Sequence, residues 1–263
     1  MTTKKTIDIL VSNDDGIFAK GINVLVKKLA PLGHITVVAP DTARSGASSA
    51  ITSTLPLRPI KVRENESETW YSVAGTPADC VKIGLNVIFA EKGKSPDLVI
   101  TGINHGRNDG ICVFYSGTVG AALEGCIAGL PSLAVSLNNH DPLADMTCAA
   151  EYGYKIAEKM LSMDIPKHTM LNLNIPNGEP KGLKICRQAV TKFVDEYAVS
   201  TNASGDNVYW MQGHQEKTLK AEEPDNDFDY LNDGYAVLTP LTLELTDYHY
   251  LAQLKKDIDR EHL

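Results

Sequence analysis

Two adjacent carboxylates, Asp14 and Asp15, stand in the tetrapeptide Asn13-Asp14-Asp15-Gly16, directly after the apolar run Ile7-Asp8-Ile9-Leu10-Val11-Ser12. Oxygen-rich clusters of this kind suit hard divalent cations. In open α/β sheets the carboxyl ends of strands line the ligand crevice, so the position of the pair matters as much as its chemistry. A capped turn accounts for the same four residues, because Asp and Asn cap helices and Gly16 supplies turn freedom. Two further loops bear on the choice. Ser45 lies in the small, polar stretch Ala43 to Ala50 after a second apolar run, and Asn104 lies in Gly102-Ile103-Asn104-His105-Gly106 after a third. Two carboxylates, a hydroxyl and an amide carbonyl are all oxygen ligands, the set that Mg²⁺, Mn²⁺ or Ca²⁺ takes, whereas zinc calls for imidazole and thiolate. Taken singly, Ser45 and Asn104 are ordinary turn residues; only convergence would give them a role. A fourth piece is Ser116-Gly117-Thr118 at the start of a Gly/Ala-rich segment, where free N–H groups and the positive end of a helix dipole would cradle an anion. An ordinary N-cap followed by a close-packing glycine is the alternative there.

These residues converge only if the elements behind them form a parallel sheet. Ile35-Thr36-Val37-Val38-Ala39, Trp70-Tyr71-Ser72-Val73, Asp97 to Thr101, Ser132 to Leu137 and Met170 to Ile175 read as further strands. Between them come helical patterns. Phe18, Ile22, Leu25, Val26 and Leu29 share one spacing; Val81, Leu85, Ile88 and Phe89 follow a Pro77 start; Val119, Leu123 and Ile127 share a side; and Ala149 to Leu161 forms a fourth. Strand and helix thus alternate through the first 180 residues, the signature of βαβ units. Beyond them, Leu183 to Gln188, Val208 to Gln212 and Tyr235 to Leu238 read as strands between polar loops, followed by an amphipathic helix from about Thr246 to Ile258. The expected organisation is a core over residues 1–180, an antiparallel arm over 181–245 and a C-terminal helix over 246–263.

Composition narrows the function classes. With 43% hydrophobic residues in a chain of 263, a substantial core is available. Thirty-three acidic against twenty-five basic residues give a formal charge of −8, which offers no broad footprint for DNA or a membrane surface. A small anionic ligand would need a local metal or dipole. Cys80, Cys112, Cys126, Cys148 and Cys186 are odd in number and widely spaced, so they read as reduced thiols. The start Met1 to Thr6 leads into a strand rather than an apolar leader, and no membrane-length apolar run occurs, so a cytoplasmic location is expected. Neither G-x-G-x-x-G after the first strand nor G-x-x-x-x-G-K-[ST] anywhere is present, which disfavours a nicotinamide enzyme and excludes a P-loop NTPase.

The segments Ile9 to Ile17, Val37-Val38-Ala39-Pro40-Asp41, Gly75-Thr76-Pro77-Ala78-Asp79-Cys80-Val81, Gly102 to Gly106 and Tyr115 to Gly120 resemble, in order, the successive signatures of the SurE survival-protein family. The resemblance is strong over residues 7–137 and looser at Tyr209-Trp210-Met211 and Gly234 to Leu241. It implies a Rossmann-like three-layer core, metal-dependent hydrolysis of nucleoside 5′- and 3′-monophosphates, and homodimers or homotetramers that exchange C-terminal segments; whether short polyphosphate is also cut stays open. It also implies one divalent cation per subunit at the positions of Asp14, Asp15, Ser45 and Asn104. Some members carry Gly-His-Ser where this chain has Ser48-Ser49-Ala50, and an acidic residue often stands where this chain has Cys112.

The expected chemistry is attack by a metal-activated water, with Asp14 or Asp15 holding that water or taking its proton. Asn104 completes the metal set, and Ser116, Gly117 and Thr118, with Ser45 and Asn104 nearby, face the phosphoryl oxygens. Two other readings stay open: attack by Asp14 itself to form an aspartyl phosphate, and a non-catalytic nucleotide sensor. His105 is either a turn imidazole or a proton-transfer group. Phe114 and Tyr115 are either core residues or stacking partners for a base.

Overall fold

The computed structural model describes residues 6–218 and 225–260. The opening residues 1–5, residues 219–224 of the expected arm and the final three lie outside the described residues. Strand β1 (Ile7–Ser12) is followed by helix α1 (Lys20–Leu29), β2 (Gly33–Pro40), β3 (Ile60–Glu64), β4 (Glu68–Val73) and α2 (Pro77–Ile83). Then come β5 (Leu98–His105), α3 (Gly117–Ile127), β6 (Ser132–Leu137), α4 (Thr147–Met160) and β7 (Thr169–Ile175). The central sheet has nine strands in the order β3-β4-β2-β1-β5-β6-β7, completed by two strands from the C-terminal third. From β4 to β7 every neighbouring pair is parallel. The chain runs outward from β1 through β2 to β4, then returns to place β5 on the other side of β1. Such a reversal of strand order opens a crevice at the carboxyl ends of the two strands beside it.

Period-two alternation along the strands separates two cores. Ile9, Val11, Ile35 and Val37 join Ile22, Leu25 and Leu29 of α1 and Ile156 of α4 on one face. Leu10, Val38 and Val99 join Cys80 and Val81 of α2 and Ala121 of α3 on the other. This gives the expected three layers, and because the strands are covered on both sides they read as continuous apolar runs.

Several local expectations are corrected. Phe18 is not on the buried face of α1: the helix begins at Lys20, and Phe18 is 79% exposed. Ile17 takes the core place instead, its N–H donating to the Pro40 carbonyl at 2.8 Å. Ile127 is likewise exposed, because α3 packs through its small residues; a Cβ on Gly125 would lie 2.8 Å from Val99 Cβ. Asn104 and His105 are not in a loop but continue β5, pairing with Ser136 and Leu137 after a register shift that follows Thr101.

The C-terminal third comprises β8 (Leu183–Ile185), β9 (Thr191–Val194), β10 (Tyr197–Thr201), β11 (Asn207–Met211), β12 (His214–Lys217), α5 (Asp227–Asn232), β13 (Ala236–Thr242) and α6 (Tyr248–Arg260). The strand expected over Tyr235 to Leu238 is not part of an appendage. As β13 it lies antiparallel to β7 and parallel to β8, inside the central sheet. Ala236, Val237 and Leu238 are all buried, as two-sided coverage requires. What leaves the core is a narrower antiparallel ribbon, β9 with β12 and β10 with β11. All five cysteines are free thiols. Among the described residues no helix is long and apolar enough to cross a membrane.

Candidate functional site

The crevice is assembled from four chain segments. At the end of β1 the Asn13 side-chain amide donates to the Gly16 carbonyl at 2.9 Å and closes a turn, in which Gly16 has φ +98°. That turn buries Asp14 to 4% exposure and leaves Asp15 partly open. Neither carboxylate caps α1, whose N-cap is Ala19 with no side-chain hydrogen bond. The capped-turn explanation of the acidic pair therefore fails.

The loop after β2 is pinned at two points. The Arg44 N–H donates to the Asp14 carbonyl at 2.7 Å, while Ser48 donates through N–H to Tyr115 O at 3.2 Å and through Oγ to Phe114 O at 2.6 Å. Ser45 sits exposed between these anchors and makes no hydrogen bond among the described residues. At the end of β5, Asn104 is nearly buried. Its Nδ2 donates to the carbonyls of His105 at 3.2 Å and Gly106 at 3.0 Å, so its amide oxygen is not tied to its own loop. His105 meets Asp15 twice, with its backbone N–H and its Nδ1 each 3.3 Å from Asp15 Oδ2.

The fourth segment is the start of α3. Ser116 caps it, its Oγ accepting from Val119 N–H at 3.1 Å, so the N-cap alternative is correct for this residue. The hydroxyl proton remains available to a ligand. Thr118 Oγ1 donates to Asp14 Oδ1. A Cβ added to Gly117 would lie 2.8 Å from Asp14 Cβ, which places the N-terminus of α3 directly against the acidic pair. The first N–H groups of a helix have no intrahelical partner, so Gly117 and Thr118 present theirs beside these carboxylates.

Burial pushes the Asp14 carboxyl up to about 6, with the charge of Asp15 adding to the rise and the Thr118 hydrogen bond opposing it. Two neighbouring carboxylates, one of them buried, with oxygen donors around them, fit a hard divalent cation that would neutralise them. Among the described residues no group of three or more His, Cys, Asp or Glu side chains is arranged to hold a metal ion, so a cation beside the acidic pair would need other donors, such as the Ser45 hydroxyl and the Asn104 amide oxygen, to complete its shell.

Sequence patterns did not reveal what braces the segment after β5. Asn108 N–H donates to Asn174 Oδ1 at 2.7 Å, and Asn172 Nδ2 donates to Asn108 O at 2.7 Å. Arg107 Nε donates to buried Asp109 at 2.6 Å, and Asp227, whose carboxyl burial raises to about 6, accepts from Ala189 N–H at 2.8 Å and Gly110 N–H at 3.2 Å. The alternating asparagines of β7 were the one available sign, since buried strand positions rarely carry amides without a partner to satisfy.

Fold and site together define a doubly wound α/β protein with an acidic, oxygen-lined crevice at the switch point of its sheet, facing a helix N-terminus. The chain belongs to the survival protein SurE family, whose model matches residues 9–195. It is 48% identical over 255 residues to a protein of Porphyromonas gingivalis named 5′-nucleotidase SurE, covering 97% of each chain. A protein of the same name from Bacteroides thetaiotaomicron is 43% identical over 97% of this chain and 96% of its own. The crystal structure of the SurE protein from Aquifex aeolicus superposes with a TM-score of 0.80 at 38% identity, covering 95% of this chain and 98% of that one.

Proposed function

We propose that this chain is a divalent-metal-dependent phosphomonoesterase that hydrolyses nucleoside 5′- and 3′-monophosphates to nucleoside and phosphate. The observation that carries the reading is the packing of Asp14 against Gly117 and Thr118, which sets a carboxylate pair and an anion-binding helix N-terminus on the same small volume. Relatives named 5′-nucleotidase SurE at 43–48% identity support it.

In this reading Asp14, Asp15, Ser45 and Asn104 hold the cation, Mg²⁺ or Mn²⁺ before Ca²⁺. When bound, the cation supplies Lewis-acid polarisation of the phosphoryl group and a more acidic water. The Thr118 hydroxyl is occupied by Asp14, so Thr118 serves the phosphoryl oxygens through its amide, alongside the Gly117 amide and the Ser116 hydroxyl. Oδ2 of Asp15 faces His105, which leaves Oδ1 for the cation or for holding the attacking water. The test is turnover on a panel of ribo- and deoxyribonucleoside 5′-monophosphates, 3′-nucleotides and short polyphosphate with each divalent ion. Release of inorganic phosphate from the nucleotides is expected; saturable nucleotide binding with no release would make the chain a sensor.

The same reading includes self-association into a homodimer or homotetramer. Tyr197, Val199, Tyr209, Trp210 and Met211 are exposed on the β10–β11 ribbon, and Tyr248, Tyr250, Leu254 and Ile258 are exposed on α6. A two-stranded ribbon is marginal alone and gains stability by packing on another surface. Light scattering at micromolar concentration is expected to give a dimer or tetramer mass; a clean monomer would contradict this.

A further inference from the structure

Next to the proposed phosphate cradle lies a cleft of about 530 Å³ that the hydrolytic chemistry does not use. Arg107, His140, Phe193 and Phe228 line it, roofed by Gln212 and His214 from the ribbon. It adjoins the hollow beside Asp15 through one shared lining residue. His140 also lines the smaller hollow that contains Asp15 and His105, and its ring lies so close over Gly106 that a Cβ there would come within 2.4 Å of it. Arg107 is only three residues beyond Asn104, a chain span of at most about 11 Å. On the cradle side, Tyr115 immediately precedes Ser116. It is not a core residue but 55% exposed, and its ring is tilted against that of Phe193 at 6.2 Å between centroids.

The chemistry of the cleft selects its occupant. Arg107 is held flat: Nε and one terminal nitrogen bind the two oxygens of Asp109, the other terminal nitrogen donates to Asn232 Oδ1 at 2.7 Å, and the guanidinium stacks on Phe228 at 4.8 Å. Its charge is already met by a fully buried carboxylate. A second phosphate would therefore find little net attraction here. A flat uncharged ring would find an aromatic face, a neutralised guanidinium plate and, for its edge, the side-chain amide of Gln212, which makes no hydrogen bond among the described residues. Aromatic and Arg planes are the surfaces on which bases stack.

We propose that this cleft receives the nucleobase of the substrate, stacked on Phe193 where that ring meets Tyr115, with Arg107 and Phe228 as the opposite wall. The assignment rests on the nucleotidase reading and goes beyond it by naming the specificity-determining residues. The ribbon that carries Phe193 then acts in substrate selection as well as in any assembly.

The test compares kcat/KM for adenosine 5′-monophosphate with that for glycerol 2-phosphate, a phosphomonoester with no base, in Phe193→Ala, Phe193→Leu and Phe193→Tyr. Using the ratio of the two substrates cancels any loss of folded or assembled protein. Removing one stacking ring is expected to lower that ratio about 5- to 100-fold in the Ala and Leu variants, mainly through KM, with Tyr restoring it. An unchanged ratio in the Ala and Leu variants overturns the proposal. If the wild-type protein releases phosphate from neither compound, the nucleotidase reading has failed, and the cleft is judged by calorimetric titration with adenosine. Saturable binding lost in Phe193→Ala upholds the base site, and no saturable binding overturns it.

Discussion

Exhaustive chelation will abolish phosphomonoester hydrolysis by this protein while leaving its circular dichroism spectrum and its cooperative melting intact, and added Mg²⁺ or Mn²⁺ will restore turnover. The reason lies in where the candidate ligands sit. Both cores are complete without them: Ile9, Val11, Ile35 and Ile100 on one face and Leu10, Val38 and Val99 on the other are fully buried by strand and helix packing alone. Asp14, Asp15, Ser45 and Asn104 belong to strand ends and connecting segments, which carry function on a scaffold that folds independently. A cation held there would contribute to chemistry far more than to the fold, unlike a structural zinc site whose removal unfolds a domain. Undiminished turnover after chelation, with elemental analysis confirming metal-free protein, would sink the metal-dependent reading.

Asp14→Asn and Asp15→Asn are each expected to lower kcat by at least about a hundredfold, the loss typical when charge stabilisation or acid–base work is disrupted. Their effects on stability should differ from those of ordinary core substitutions. Asp14 is almost fully buried, and burial already disfavours its ionised form, so a neutral amide of the same shape removes a buried charge while keeping an acceptor for the Thr118 hydroxyl. Metal-free Asp14→Asn should therefore melt no lower than the metal-free parent. Asp15→Asn places an amide where the His105 N–H and Nδ1 converge, and a modest shift of the His105 segment is expected in addition to the loss of turnover. Ser49→Ala is the contrast: this exposed hydroxyl makes no hydrogen bond among the described residues, and its removal should change kcat less than a few-fold. Near-parental kcat in both Asp variants at saturating metal would place the active site elsewhere.

The parallel core was readable from the chain because its signals are local. Alternating runs such as Ile9 to Val11 and Val37 to Ala39, the Pro77 helix start with Thr76 and Asp79 in a reciprocal cap, and the apolar spacing of Ile22, Leu25, Val26 and Leu29 each reflect forces acting within a few residues. The acidic pair was noticeable for the same reason, since Asp14 and Asp15 directly follow an apolar strand run, whereas Ser45 and Asn104 became candidates only on the assumption that the strands behind them are parallel neighbours. Where a signal depended on distant partners, it misled. Phe18 matched the helical spacing of α1, yet the turn at Gly16 ended that register and gave its place to Ile17. Tyr235 to Leu238 looked like part of an arm because it follows polar loops, but the pairing of Val237 and Leu238 with Asn174 and Leu173 makes it part of a strand of the central sheet.

Tertiary structure alone decided the relationships that give the crevice its chemistry. Thr118 is 104 residues from the carboxylate it binds, and His105 is 90 residues from Asp15. Neither spacing leaves a periodic trace, because a contact closed by the return of the chain across a sheet depends on strand order rather than on neighbouring residues. Residue types and their local periodicity thus determined which groups this protein could use and which elements carry them. The reversal of strand order at β1 determined which of those groups meet, and how deeply Asp14 is buried when they do.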